Sequence, residues 1–555
     1  MARVKVWTIR IIILALAVWG VRWFNEVRQN RPPRIVGATK DGILLLGNGT
    51  EPGTMDPHLA TGVPEHLIFS AMFEGLTASG AKNPDDSVPG VAESWEHSPD
   101  MVEWTFHLRA DAKWSDGHPL TAQDFVWSFQ RMLSPELAAE YASMLYPLKN
   151  GQDFNEGKLK DFTQVGAKAP DERTLKLTLT GPTPYLLSVL KHYSWFPMPR
   201  HVIEKYGSST DRENPWTRSG HMVSNGPFRL KSWLFTNSIT LEKNPYYWDA
   251  KSVKLNGIKY YPIASDSTEE RAFANGQLHA TMIVPLSKMD EYREKKSPFF
   301  ISAPQLSVYF YRINVTKPPL NDKRVRRALT LAVDQESLIK NVLKGGQKPA
   351  QGLVPYPEKL GYPACNVVKH DVAEAKRLLA EAGFPNGAGF PKFDILINTN
   401  EAHRVIAEAI QEMWKRDLNI PVSIHNQDWG VYLESQRKLD YQICRAAWSG
   451  DYTDPFTFLS MWRTEDGNNQ TGWSNARYDD LMAKSMTEGD ATKRFQLLHD
   501  GEMTLLDELP IIPIYWYTHS CLVRTSVKNW KESLLQYRCY KAMELVPTPD
   551  DLVKP

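Results

Sequence analysis

Between Asp371 and Ala447 the chain alternates helix-period and strand-period hydrophobic patterns, and this alternation constrains the fold more than any other feature. Asp371 is placed to cap a helix whose Ala375, Leu378, Leu379 and Ala382 share one face, and Gly383 stops it. The run Asp394-Ile-Leu-Ile-Asn398 reads as a strand, followed by a helix with Ile406, Ala409, Ile410 and Met413 inward. A strand over 421–424 and a β-like run over 441–447 complete the series. Elements in this order build α/β units, in which helices cover a sheet. The first 200 residues differ, with short strands and turns around Gly and Pro, so one homogeneous sheet is excluded. Pro510-Ile-Ile-Pro-Ile-Tyr-Trp-Tyr517 reads as a buried strand whose two prolines place it at an edge or at a crossing between domains. The expected class is mixed α/β.

At ~150 residues per domain, 555 residues give three to four domains and enough core to need no staples. Lys and Arg number 65 against 64 Asp and Glu, so the basic excess of a nucleic-acid binder is missing. With 42% hydrophobic and 23% charged residues, bulk disorder is excluded. One apolar run meets the needs of a membrane, which excludes a multi-span transporter. That run, residues 11–21, follows Arg3, Lys5 and Arg10 and has the layout of an export signal. Ala15 and Ala17 are small, but Trp19 and Arg22 follow, so cleavage is poorly specified. Residues 1–21 therefore read as a signal or uncleaved anchor, and 22–40 as a tether. The four cysteines form no Cys-x-x-Cys pair; Cys521 and Cys539 can pair in an oxidising compartment.

Signatures of catalysis are missing: no Gly-x-Ser-x-Gly elbow, His-Glu-x-x-His, Walker loop or Gly-x-Gly-x-x-Gly occurs. The histidines stand singly, without metal-ligand spacing. No catalytic residue, cofactor or metal is expected. The aromatic load is high, with 18 Trp, 22 Tyr and 21 Phe, which suits both core and a large adaptable cleft.

A series of motif blocks begins with Glu51-Pro-Gly-Thr-Met-Asp-Pro-His58 and Phe73-Glu-Gly-Leu76. Val91-Ala-Glu-Ser-Trp95, Trp104-Thr-Phe-His-Leu-Arg109, Ala112-Lys-Trp-Ser-Asp-Gly117 and Thr121-Ala-Gln-Asp-Phe125 come next. Asn225-Gly-Pro-Phe228, Leu241-Glu-Lys-Asn-Pro245 with Trp248, Asn321-Asp-Lys-Arg-Val-Arg326 and Ala447-Trp-Ser-Gly-Asp-Tyr452 complete it. In this order the blocks resemble the bacterial extracellular solute-binding proteins of family 5, over roughly residues 42–545. Within that family the likeness is to the periplasmic oligopeptide-binding proteins of peptide ABC importers.

The resemblance implies a periplasmic-binding-protein-like Venus flytrap of two lobes and three domains. Domain I would be discontinuous (41–77, 200–303 and 518–555), with domain II at 78–199 and domain III at 304–517. It implies a monomer in the periplasm that captures short peptides and delivers them to an inner-membrane ABC permease. Contact with the membrane would be through the N-terminal segment alone.

Asp451 matches the family's carboxylate for the ligand α-ammonium; otherwise it is a turn-forming aspartate beside Gly450. Val63, Ser449 and Gly450 match segments whose backbone pairs with an extended peptide. Trp429, Trp448 and Tyr141 match rings of the cleft, or are core. Arg445, His403 and Lys317 match charges that meet carboxylates of peptides of different length. His403 reads equally as a surface residue at a helix start, and Lys317 as a solvated loop lysine. Two departures stand out: Ser307 and Ser449 replace a cysteine pair of enterobacterial members, and Thr61 replaces an acidic residue near the ligand. Other readings are a different solute (cell-wall peptide, dipeptide or metal complex), a peptide receptor or chaperone-like module without transport, or a cleft hydrolase.

Overall fold

The computed structural model describes residues 34–464 and 466–553; the expected export segment and tether residues 22–33 lie outside them. No helix among the described residues is long and apolar enough to cross a membrane. Three larger sheets organise the chain. In the first, Ile43–Gly47 pairs in parallel with Gly257–Tyr261, and Ser238–Lys243 and Phe228–Leu234 continue it antiparallel. The second is antiparallel, in the order Ala92–His97, Glu103–Leu108, Thr174–Thr178, Ala167–Lys168. One continuous hydrophobic cluster serves both sheets.

The third sheet has six strands, in the order Lys348–Pro349, Ile511–Leu522, Phe300–Ile313, Ile443–Ser449, Phe393–Asn398, Val422–Gln427. Its central strand, Phe300–Ile313, is antiparallel to both neighbours, whereas Phe393–Asn398 is parallel to both of its own. Side chains alternate across a strand, so a sheet covered on both sides needs two cores. Here Tyr309, Tyr311 and Ile313 enter one cluster, and Leu306, Val308 and Phe310 enter another.

The α/β alternation expected over 371–447 is present. Asp371 Oδ1 accepts the Glu374 N–H at 3.0 Å to start helix Val372–Glu381, and Gly383, at φ +97°, turns the chain out of it. Asn400 caps helix Glu401–Leu418, which buries Ile406, Ile410 and Met413 as expected. Ala407 faces the core fully, and Ala409 only in part, because the helix is rotated slightly from the sequence reading. The last two strands, Val422–Gln427 and Ile443–Ser449, begin one and two residues later than expected and end three and two residues later. The 510–517 segment belongs to a strand that extends to Leu522 between two neighbours, so it is not an edge. Pro513 sits at an irregularity of pairing, opposite Phe310, where a missing N–H costs no regular ladder bond.

One expectation is corrected and one open question is answered. Residues 34–40, assigned to the tether, form a docked helix: Ile35 N–H reaches Gly276 O at 3.0 Å, and Thr39 Oγ1 lies 2.9 Å from His279 Nε2. Ile35 is fully buried, which anchors a segment whose basic, Pro-containing flank reads as linker. Cys521 and Cys539 are free thiols, as are Cys365 and Cys444.

Candidate functional site

A cavity of about 380 Å³ opens between residues 61–66, 140–141 and 192–193 and residues from 305–312, 429–437, 445–451, 468–470 and 534–537. That volume is within the ~300–1,000 Å³ usual for small-ligand sites.

Asp451 stands just past the Ile443–Ser449 strand. Gly450 N–H donates to Leu306 O at 2.8 Å, so the chain is still tied to the sheet as it leaves it. Thr457 Oγ1 accepts the Asp451 N–H at 3.1 Å and donates to its Oδ2 at 3.3 Å, while Tyr141 Oη donates to Oδ1 at 3.3 Å. His192 Nε2 is 3.8 Å from Oδ1, but burial, with His66 nearby, holds that imidazole well below its ordinary range and therefore neutral. No lysine or arginine pairs with Asp451 among the described residues. Burial accordingly raises its carboxyl to about 7. The turn-forming alternative does not describe these contacts, since both oxygens take side-chain donors from elsewhere.

Arg445 lies six residues before it, opposite Tyr311 in the sheet. Its Nη1 donates to Asn398 Oδ1 and its Nη2 to Tyr517 Oη, each at 3.3 Å, and the guanidinium sits 5.0 Å from the Tyr309 ring centre. Its Nε is buried without a partner, and no carboxylate pairs with it among the described residues.

Trp448, Ser449, Gly450, Tyr141, Val63 and Trp429 all face the same cavity. Trp448 also lines a smaller adjoining cavity with Tyr146, Tyr185 and Met461. Trp429 is 57% exposed and stacks on Tyr432 at 5.5 Å. The Ile443–Ser449 strand pairs with Phe393–Asn398 only at Ile443 and Cys444, while Ala446 to Ser449 border the cavity. That edge is open to an extended backbone. Ser307 and Ser449, expected to replace a cysteine pair, are directly opposite, with a 2.8 Å hydrogen bond between hydroxyls.

Val63 is the first residue of helix Val63–Met72, so it offers a helix N-terminus with N–H groups outside the helical ladder. Two expectations change. His403 starts its helix, as one reading had it, yet it packs 5.7 Å from the Tyr309 ring. Burial, then the Arg445 charge, hold it well below its ordinary range, so it is neutral rather than cationic. It does not line the cavity, and neither does Lys317, in the turn after the central strand. Sequence reasoning missed Arg312, His66 and His192. Arg312 is buried in the cavity wall, its Nη1 bonded to Gln470 Oε1 and its Nη2 to Asn468 O at 3.2 Å. The available signal is that Arg312 is the one charged residue of its strand.

The model of the bacterial extracellular solute-binding proteins, family 5 Middle, matches residues 86–470. The periplasmic oligopeptide-binding protein OppA of Salmonella typhimurium is 37% identical over 495 residues, covering 88% of this chain and 89% of that protein. The crystal structure of Haemophilus influenzae OppA in complex with RPPGFSPFR superposes with a TM-score of 0.84 at 33% identity, over 92% of this chain and 99% of that one. The Escherichia coli murein tripeptide binding protein MppA also gives 0.84, at 31% identity over 91% and 99% of the two chains. Its unliganded open form gives 0.67. By sequence and fold alike, this chain belongs to the bacterial extracellular solute-binding proteins of family 5.

Proposed function

We propose that this protein binds short peptides in the cavity and delivers them to the permease of a peptide ABC importer. One observation carries the reading: a buried carboxylate and a buried guanidinium, each without an ionic partner among the described residues, flank an open strand edge. A peptide zwitterion supplies both missing charges, and its amides pair with the edge whatever its side chains are. Six residues separate Arg445 from Asp451, roughly 20 Å of extended chain, so a ligand using both ends holds about six residues or fewer. The relatives named above, which bind oligopeptides and a murein tripeptide, support this substrate class.

A hydrolase is the weaker reading. His192 Nδ1 lies 2.8 Å from Ser194 Oγ and its Nε2 faces Asp451, the residue types of an acyl-transfer triad. Ser194 is fully buried and outside the cavity wall, so its hydroxyl meets no substrate. The protein acts by binding and closure, as an exported monomer whose N-terminal segment is either an export signal or an uncleaved anchor. Mass spectrometry of material released from the purified protein tests the substrate class: peptides of about two to six residues are expected. Recovery of a non-peptide solute, or failure of such peptides to bind in calorimetry, overturns it.

A further inference from the structure

The structure assigns a site for a borderline divalent metal ion of the zinc class to Asp116, His118 and His201. The site is separate from the peptide cavity, which none of the three lines. One ligand atom from each residue converges, all within 4.8 Å of one another.

The framework is built from two anchored pieces. Residues 113–119 form a tight turn in which Trp114 N–H donates to His118 O and Gly117 N–H to Trp114 O, each at 2.9 Å. Gly117 takes φ +94°, a conformation that side chains resist. Trp114 is fully buried, and Ser115 N–H donates to Ser224 O at 2.7 Å, so the turn is fixed from beneath. His201 comes from helix Arg200–Tyr206, held by buried Val202 and Ile203.

Asp116 divides its two oxygens between framework and site. Oδ1 accepts the His118 backbone N–H at 3.2 Å, which orients the carboxylate. Oδ2 then faces two imidazoles at once, 2.7 Å from His201 Nε2 and 3.0 Å from His118 Nδ1. The rings lie 4.5 Å apart, tilted by 36°. Two imidazole nitrogens and one carboxylate oxygen are a ligand set for zinc, with a fourth position left to water. Imidazole donors disfavour calcium and magnesium, which take oxygen. Ligand atoms around a tetrahedral zinc lie about 3.3 Å apart, from bond lengths of ~2.0–2.2 Å. The nitrogens must therefore withdraw from Oδ2, His118 by about 0.3 Å and His201 by about 0.6 Å; their side chains are 64% and 32% exposed. A bound ion would clasp positions 85 residues apart and stabilise the fold by mass action.

The test uses the exported chain without a polyhistidine tag, stripped of metal, titrated with zinc chloride alone in a non-chelating buffer. One-to-one binding by calorimetry is expected, with a zinc-dependent rise in melting temperature. Cobalt chloride should give the visible absorption of a tetrahedral nitrogen–oxygen site. His118→Ala, His201→Ala and Asp116→Asn should each weaken zinc binding about tenfold or more. Co-purified peptide or peptide affinity, unchanged in the variants, shows that they fold. Should His201→Ala not fold, His118→Ala decides alone, since its ring is mostly in solvent. Absence of stoichiometric zinc binding, or binding that survives His118→Ala undiminished, overturns the assignment.

Discussion

The Tyr141 hydroxyl donates to Asp451 Oδ1 over 3.3 Å, joining side chains 310 residues apart in the chain. Together with Thr457, it gives the carboxylate donors that fix its direction but supply no charge. On the proposed function, the peptide ammonium supplies the missing charge.

Asp451→Asn keeps the volume and one acceptor while removing the charge. Loss of one partner of a buried charge pair costs ~2–5 kcal/mol, roughly 30-fold or more in affinity. Acetylating the peptide amino terminus should cost wild type a similar amount and the variant far less, because both changes remove one interaction. Calorimetry on the four combinations checks this. Additive losses would separate Asp451 from the ligand amino terminus.

The same carboxyl makes the empty closed protein sensitive to pH. Burial lifts it from 3.8 to about 7. Between those values the closed state holds a proton that a wet carboxylate has released, so closure without ligand is most favourable below about pH 4 and loses that advantage as pH rises to about 7. A peptide ammonium removes the penalty by pairing. The rise in melting temperature caused by saturating peptide should therefore grow between pH 5 and 7, and flatten in Asp451→Asn. Identical slopes in both proteins would refute the linkage.

Ser307 and Ser449 already have the facing that a cross-strand bridge requires. Replacing both with cysteine should yield a disulfide on oxidation, seen as loss of two titratable thiols. The bridge closes a loop of 142 residues, for which chain entropy allows about 4–5 kcal/mol, less any strain. A higher melting temperature under oxidising conditions, reversed by reductant, is the expected result. Persisting free thiols would contradict the facing.

Arg131 and Asp56, neither of which lines the cavity, form a buried ion pair at 2.6 Å, and Trp216 Nε1 donates to the same carboxylate at 3.1 Å. Burial pushes the Asp56 carboxyl up, but the Arg131 guanidinium outweighs it and holds the group below its ordinary value. The stability contributed is present above about pH 4 and is lost as pH falls further. Asp56→Ala strands a buried guanidinium and should cost about 3–5 kcal/mol in denaturant unfolding at neutral pH. A cost below ~1 kcal/mol would mean that Arg131 finds other acceptors.

Periodic segments were legible because burial on one face leaves a pattern in the sequence itself: Leu378 and Leu379, or Ile395 and Ile397, announce their faces. Asp451 and Trp448 stand in one motif, and the structure places both, with Arg445 just before it, in the wall of one cavity. What stayed hidden depends on neighbours distant in the chain. His403 is neutral because it is buried and because Arg445, 42 positions later, lies beside it. His118 and His201 are isolated until a turn and a helix bring them together. Helix 34–40 is held by Gly276 and His279, which no local pattern reveals.

The long central strand loses its regular pairing with Ile511–Leu522 between Pro304 and Val308. Gln305 and Ser307, within that gap, line the cavity, and Leu306 N–H turns instead to Leu534 O at 2.7 Å. The break in that ladder therefore lies in the wall of the cavity. On the proposed function, a peptide that reaches Gln305 and Ser307 rests directly on the break, and a peptide too short to reach them leaves it untouched.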